Sequence, residues 1–330
     1  MDNAVAGKYA PISYHVGAEH LAFFNTATAR PWGKATPGMG EPAPVGGVGD
    51  DVPPAAPTFA AVVAQRAAAV LIADPELGVD FSRVLHGSES IVLHEPILAG
   101  DELTALPGVK RLVERGPLRT LASRTEVHGP RGLAAVVEST LAVMPPAPAA
   151  GAGEQGTAAG TAGPESAEGT AAPEGAQEAQ HVAPWQASGQ SLAEWSLTPP
   201  ELEAVEVEGA DFAFRVVLSL TDLVRYAGAS RDFNPIHHNP AVAKGAGLPG
   251  VIAHGMLTLA LVASAVESYA GCGKVKELRA SFSGMVVVDP VQGAELLISG
   301  ERGEGGKVTL NVTSGGKPVL SRASAVVAEG

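Results

Sequence analysis

Leu93-His-Glu-Pro-Ile-Leu-Ala-Gly-Asp-Glu-Leu103 and Val288-Asp-Pro-Val-Gln-Gly-Ala-Glu-Leu296 are two versions of one phrase, each with a proline ahead of a closing Gly-x-Glu-Leu. Such self-similarity far apart in a chain marks an internal repeat. The surroundings repeat too. Ahead of the first phrase, Pro57 to Ala73 carries Phe59, Val62, Val63, Ala67 and Val70 at helical spacing; ahead of the second, Gly255 to Ala270 does the same with Met256, Leu259, Ala260, Ala263 and Val266. Alternating runs that read as strands follow each helix. In the second half these are Leu278 to Val288, Glu295 to Gly300, Val308 to Val312 and Val319 to Val327, parted by turns at Gly303-Glu-Gly-Gly306 and Gly315-Gly-Lys317, and Phe212 to Leu220 reads as that half's first strand, ahead of its helix. One long helix with several antiparallel strands, occurring twice, predicts an α+β fold of two antiparallel sheets, each wrapped around a helix. A doubly wound parallel sheet would need helices alternating with strands and is excluded, and no glycine-rich dinucleotide fingerprint is present.

The two repeats are separated by a stretch of different composition. From Pro145 to about Pro200 the chain is mainly Ala, Gly, Pro, Glu, Thr and Gln, which cannot bury enough apolar surface to offset its ordering entropy. The expected organisation is therefore a first domain over 1–145, a disordered linker over 146–200 and a second domain over 201–330. Trp185, Leu192 and Trp195 are the linker residues able to dock on a domain.

The 330 residues and 45% hydrophobic content suffice for two ordinary cores. A formal charge of -13 argues against non-specific attraction to nucleic acid or anionic lipid. The longest apolar run, Met256 to Val266, is far shorter than the roughly 20 residues that span a bilayer. The lone Cys272 forms no intrachain disulfide, no cysteine–histidine cluster suggests a metal, and the N-terminus lacks a secretory pattern; a cytoplasmic protein is expected.

Polar information is densest in Ser230-Arg-Asp-Phe-Asn-Pro-Ile-His-His-Asn-Pro240, where two prolines and two asparagines impose turns. Asp232 and His237 are a carboxylate and an imidazole able to act as acid and base. Downstream, Ala253-His254-Gly255-Met256-Leu257 sets Gly255 at the start of the apolar helix, where unpaired amides can hold an anionic oxygen and the missing Cβ permits close approach. Singly, Asp232 could cap a turn and His237 could be structural; together with His254-Gly255 they favour chemistry. Asn234 reads as a turn-former orienting the pair and His254 as packed at the helix start, both as substrate-positioning candidates. His238 faces solvent, and His86 and His94 support strands. Lys244-Gly-Ala-Gly-Leu-Pro-Gly250 lacks the Gly-Lys-Ser/Thr ending of a phosphate loop and reads as a flexible rim. Arg225, Arg231, Lys244, Lys274, Lys276 and Arg279 lie near the expected mouth in sequence.

The combination of Asp232-Phe-Asn-Pro-Ile-His237, Ala243 and Gly250-Val-Ile-Ala-His-Gly-Met-Leu257 resembles the signature of the MaoC-like, (R)-specific enoyl hydratases and (3R)-hydroxyacyl dehydratases, over roughly residues 212–300. The first half resembles the non-catalytic hot dog of fused two-domain members, through Phe81 to Ser90 and His94 to Leu103. The resemblance implies a double hot dog, a hydro-lyase, Asp232 and His237 as catalytic dyad and the Gly255 amide as oxyanion donor. It implies no cofactor beyond the phosphopantetheine of acyl carrier protein, or coenzyme A, as substrate carrier. It is compatible with a homodimer of pseudo-dimers. Two positions depart from the family pattern: Arg231 stands where glycine is frequent, and Ala263 where a small hydroxyl residue is frequent, with Ser264 following. No histidine lies between His20 and His86, so the dyad occurs once. The alternatives from other classes are a hot-dog thioesterase and an inactive acyl-binding subunit.

Overall fold

The computed structural model describes residues 8–30, 52–79, 84–115, 118–143 and 200–329. The expected linker, with Trp185, Leu192 and Trp195, lies outside the described residues apart from Pro200.

The first half runs β1 (Ile12–His15), α1 (Ala18–Ala27), α2 (Phe59–Ile72), β2 (Val84–Leu93), β3 (Glu102–Arg115), β4 (Leu118–Gly129) and β5 (Gly132–Val143). The second runs β6 (Glu203–Ala204), β7 (Phe212–Leu218), α3 (Leu220–Ser230), a 3-10 turn (Pro235–His237), α4 (Pro240–Gly245) and α5 (Gly255–Ala270). It finishes with β8 (Val275–Phe282), β9 (Ala294–Arg302), β10 (Lys307–Ser314), β11 (Lys317–Pro318) and β12 (Leu320–Val327). Helix α2 lies on β3, β4 and β5, and α5 on β7, β8, β9 and β12, so each half is a sheet around one long helix. Helix α5 is apolar over most of its surface, and Met256 to Glu267 are all buried. A helix without a broad polar face must be enclosed on nearly every side.

The two sheets are joined. Among the described residues the strands form one antiparallel sheet in the order β1-β3-β4-β5-β2-β8-β12-β10-β9-β7-β6, with β11 beside β10. The seam is β2 against β8, where Glu89 faces Ala280 and Ile91 faces Leu278. A buried ion pair also crosses between halves: Arg30 Nε and Nη2 donate to Glu267 of α5 at 2.8 and 3.0 Å, with side chains 2% and 0% exposed. Nearby, Ser264 Oγ donates to the Thr28 carbonyl at 2.7 Å.

Several expectations needed correction. The strand expected over Leu278 to Val288 begins at Val275 and ends at Phe282. Beyond it the Ser283 and Gly284 amides bond to the Val319 carbonyl, and a Cβ on Gly284 would lie 2.6 Å from the Pro318 carbonyl oxygen. The chain thus leaves the ladder and reaches across to Ile252 through a bridge at Val287. Strand β7 stops at Leu218 because Ser219 starts α3 with a capping box: its hydroxyl accepts from the Asp222 amide, and Asp222 accepts from the Ser219 amide. The rim expected at Lys244 begins as α4, capped by Asn239, whose side chain accepts from the Ala241 and Val242 amides.

Candidate active site

Three side-chain-closed turns carry the polar segment. Ser230 Oγ accepts from the Asp232 amide, Asp232 Oδ1 from the Asn234 amide, and Asn234 Oδ1 from the Ile236 amide. Each short polar side chain replaces a backbone acceptor one turn on, which Asn and Asp do well. Arg231, the C-cap of α3, adopts the left-handed conformation with φ 63°. That region suits glycine, so the structure gives a physical reason for glycine at this position in related chains. Asn234 is thus a turn-former, as read from the sequence.

The turn is fastened to the start of α5. The Ile252 amide donates to the Ile236 carbonyl, and Ala253 to Val286. His237 Nδ1 donates to the Ile252 carbonyl at 2.8 Å, which fixes the tautomer and leaves Nε2 as a lone pair. His254 stacks on His237 with ring centroids 3.8 Å apart and 27° between planes, and its Nε2 donates to the Asp232 carbonyl at 3.1 Å. His254 Nδ1 is buried without a hydrogen-bond partner among the described residues. Burial holds the His237 pKa below the ordinary imidazole value, against the opposing pull of the Ile252 carbonyl and the Asp232 charge. Burial, and then the neighbouring His237, push His254 down to about 3. Both rings are therefore uncharged at neutral pH.

The donor atoms of Asp232, His237 and His254 all lie within 4.8 Å of one another. Two imidazoles and a carboxylate can chelate a transition metal. Here the rings lie face to face, and one nitrogen of each ring is already committed to a carbonyl. Proton transfer suits this cluster better than chelation.

Gly255 opens α5, whose N-cap, His254, provides no side-chain cap bond. The first amides of a helix have no acceptor within it, so this end is left open to a negatively charged oxygen. A Cβ at Gly255 would lie 2.9 Å from Phe282 Cδ1. The dyad and the helix start open on one cavity of about 1260 Å³. Its wall comes from both halves: Val62, Leu85 and Leu141 from the first, Asp232, His237 and Gly255 from the second.

Other expected residues fall elsewhere. Arg225 is buried and paired with Asp222 within α3, not at the mouth. Of the remaining cations named from the sequence, Arg231 lines the cavity, and Arg279 pairs with Glu277 on β8. Sequence reasoning missed Tyr226, which is fully buried and meets His254 edge-on at 5.1 Å. It missed His86 as a cavity-lining residue as well. The Ser219-Leu-Thr-Asp222 capping box was the available signal for α3, and hence for Tyr226.

A MaoC like domain model matches residues 204–316, and a model of the FAS1-like dehydratase domain region matches residues 3–137. The chain belongs to the MaoC-like dehydratase family. Among relatives of this MaoC-like dehydratase, the UPF0336 protein of Streptomyces coelicolor is 32% identical over 134 residues, 40% of this chain and 87% of that protein. The fatty acid synthase subunit beta of Aspergillus oryzae is 40% identical over 80 residues, 23% of this chain but 4% of that one. A solved structure of a MaoC-like dehydratase superposes with a TM-score of 0.69 at 23% identity, covering 98% of each chain. The fold is the double hot dog. This MaoC-like dehydratase is a hydro-lyase of the hydroxyacyl thioester dehydratase and hydratase type.

Proposed function

We propose that the protein is a (3R)-3-hydroxyacyl thioester dehydratase acting on acyl carrier protein in fatty acid or polyketide elongation, eliminating water in syn fashion to a trans-2-enoyl thioester. The observation that carries this reading is that the free Nε2 of His237, the Asp232 carboxylate and the open start of α5 all face one cavity. Dehydration needs those three functions together: a base for the C2 proton, help for the departing C3 hydroxyl, and a donor for the thioester oxygen as it gains charge.

In this mechanism His237 Nε2 takes the C2 proton, the thioester oxygen is held at the Gly255 amide, and the C3 hydroxyl leaves as water with a proton passed through Asp232. Asn234 fixes the turn that presents Asp232, and His254 holds the His237 ring from behind. The thioester arrives on the phosphopantetheine of the carrier protein or on coenzyme A, with no further cofactor. Arg231 at the cavity wall offers charge for the carrier phosphate, and the exposed Phe233 and Met285 beside it offer apolar surface for the arm. Run backwards, the same groups hydrate a 2-enoyl-CoA, which makes an (R)-specific enoyl-CoA hydratase the second reading.

The test is turnover of (3R)-hydroxyacyl and 2-enoyl thioesters on both carriers, following alkene absorbance and free thiol. His237→Ala and Asp232→Asn are each expected to lower kcat by about 10²–10⁴-fold, the usual worth of a positioned acid or base. Thiol release without alkene chemistry would mean a thioesterase. Undiminished turnover in either variant would remove the dyad from the mechanism.

A further inference from the structure

The first half also sends an imidazole into the cavity. In a regular strand, residues three apart point to opposite faces. His86 and Glu89 of β2 nevertheless meet, His86 Nε2 lying 2.7 Å from Glu89 Oε2, because the pairing of β2 with β5 shifts by a residue between His86 and Ser88. The bulge falls at Gly87, where a Cβ would lie 3.1 Å from the Thr140 carbonyl oxygen. Bulges of this kind re-aim a side chain and gather beside active sites.

Glu89 is buried at the β2–β8 seam, its side chain 1% exposed, and a buried carboxylate is costly unless a donor meets it. His86 is that donor. Because the carboxylate oxygen accepts, the hydrogen sits on Nε2, and an uncharged ring then presents Nδ1 as an acceptor. The ring lines the same cavity as Asp232 and His237, 18% exposed, and Nδ1 has no protein partner among the described residues. It also packs on Phe282, ring centroids 4.9 Å apart. Phe282 in turn lies over Gly255. His86 is thereby one ring removed from Gly255, on the cavity wall supplied by the other half. Burial, and then the charges of Asp232 and Glu89, hold the Tyr226 pKa well above its ordinary value.

We infer that His86, oriented by Glu89, is a further substrate-positioning residue, its Nδ1 accepting a hydrogen bond from an O–H or N–H of the bound acyl thioester. This rests on the hydro-lyase reading of the site. Two parts of the substrate have the required chemistry, the C3 hydroxyl and the pantetheine arm with its amides and hydroxyl.

The side-chain amide nitrogen and oxygen of asparagine fall near the place of a histidine Nδ1, those of glutamine near Nε2. The experiment measures KM and kcat of the full chain and of its His86→Ala, His86→Asn and His86→Gln variants, with a 3-hydroxyacyl-CoA and the matching 2-enoyl-CoA. Loss of one substrate hydrogen bond predicts a KM rise of about tenfold for Ala and Gln, kcat falling less, and KM within about threefold of wild type for Asn. A rise confined to the hydroxyacyl substrate assigns the bond to the C3 hydroxyl; a rise with both assigns it to the arm. Because Ala and Asn both leave the Glu89 carboxylate without its donor, the Asn and Gln variants are also compared in a Glu89→Gln background, which removes the buried charge and keeps the contrast readable. Equal KM values for those two, or a loss confined to kcat, would overturn the inference while wild-type turnover leaves the hydro-lyase reading standing. A wild type inactive on both thioesters would sink that reading and this one together.

Discussion

At the scale of the residue, two stacked histidines set the acid response of the protein. His254 is buried and held near 3, while an imidazole in the unfolded chain titrates near 6.5. The unfolded state therefore binds more protons than the folded one between those values, and stability falls as pH drops below 6.5. At pH 5 the shortfall from His254 amounts to about 2 kcal/mol, and the depressed His237 adds in the same direction. Urea denaturation at pH 7 and pH 5 is expected to show this loss, and His254→Gln to flatten it; a wild-type midpoint unchanged over that range would contradict the burial argument. Asp232 and His237 were legible in the sequence because a rare grouping of polar types at fixed spacing survives without knowledge of the fold. His254 was legible only as a neighbour of Gly255, since its stacking partner is contributed by a turn that the sequence does not bring near it. His86 was hidden by the bulge at Gly87, which changes a strand residue's face without any strong local signal.

At the scale of the element, the proposed mechanism gives the start of α5 the part that a cation would play elsewhere. Alanine is a better helix former than glycine by about 1 kcal/mol, so by propensity alone Gly255→Ala should stabilise α5. The Phe282 ring opposes this, because a Cβ would stand 2.9 Å from Cδ1 and 3.0 Å from Cε1, and the ring is backed by His86. Overpacking of about 1–3 kcal/mol is expected to win, with turnover lower by about 10²-fold as the oxygen is pushed off the helix amides. Combining Gly255→Ala with Phe282→Leu should restore part of both losses. A fully active single variant would remove the close approach from the mechanism. The bounds of α5 were readable from periodicity because Gly255 and the Gly271 that follows it frame an unbroken apolar run. Helix α3 was not read, because only a Ser219–Asp222 capping box separates it from the strand before it. The overlong strand at Leu278 failed for a related reason: alternation continues past Phe282, but Gly284 sits so close to the Pro318–Val319 backbone that the chain turns away.

At the scale of the molecule, the halves are coupled by the β2–β8 seam, the shared cavity and the Arg30–Glu267 pair. Taking one member from a buried ion pair leaves the other charge without compensation and costs about 3–5 kcal/mol. Glu267→Ala and Arg30→Met should each approach that loss, while the double variant Arg30→Met/Glu267→Leu should lose less than the sum. Denaturation midpoints of the three variants decide it, and strictly additive losses would show that the pair is not coupled. The repeat of Gly-x-Glu-Leu phrases made the twofold architecture visible, since each copy marks the same place in its own sheet. The Arg30–Glu267 contact was invisible, because nothing in either local sequence names a partner more than two hundred residues away.

The order of the strands has one more consequence, for how the molecule behaves in company. A sheet is an open-ended ladder, and an exposed terminal strand is an invitation to a neighbouring chain. Among the described residues the ladder stops at β1, four residues long, and at β6, two residues long. Polar pairs stand at both stops: His15 against Glu102 at one, Glu203 against Arg215 at the other. Beyond Ala105, Leu106 to Arg115 of β3 pair with β4 on one side and with no strand on the other among the described residues. A protein that spent its long inner edges on joining two copies of one unit has kept an outer edge on which a further strand would still find rungs.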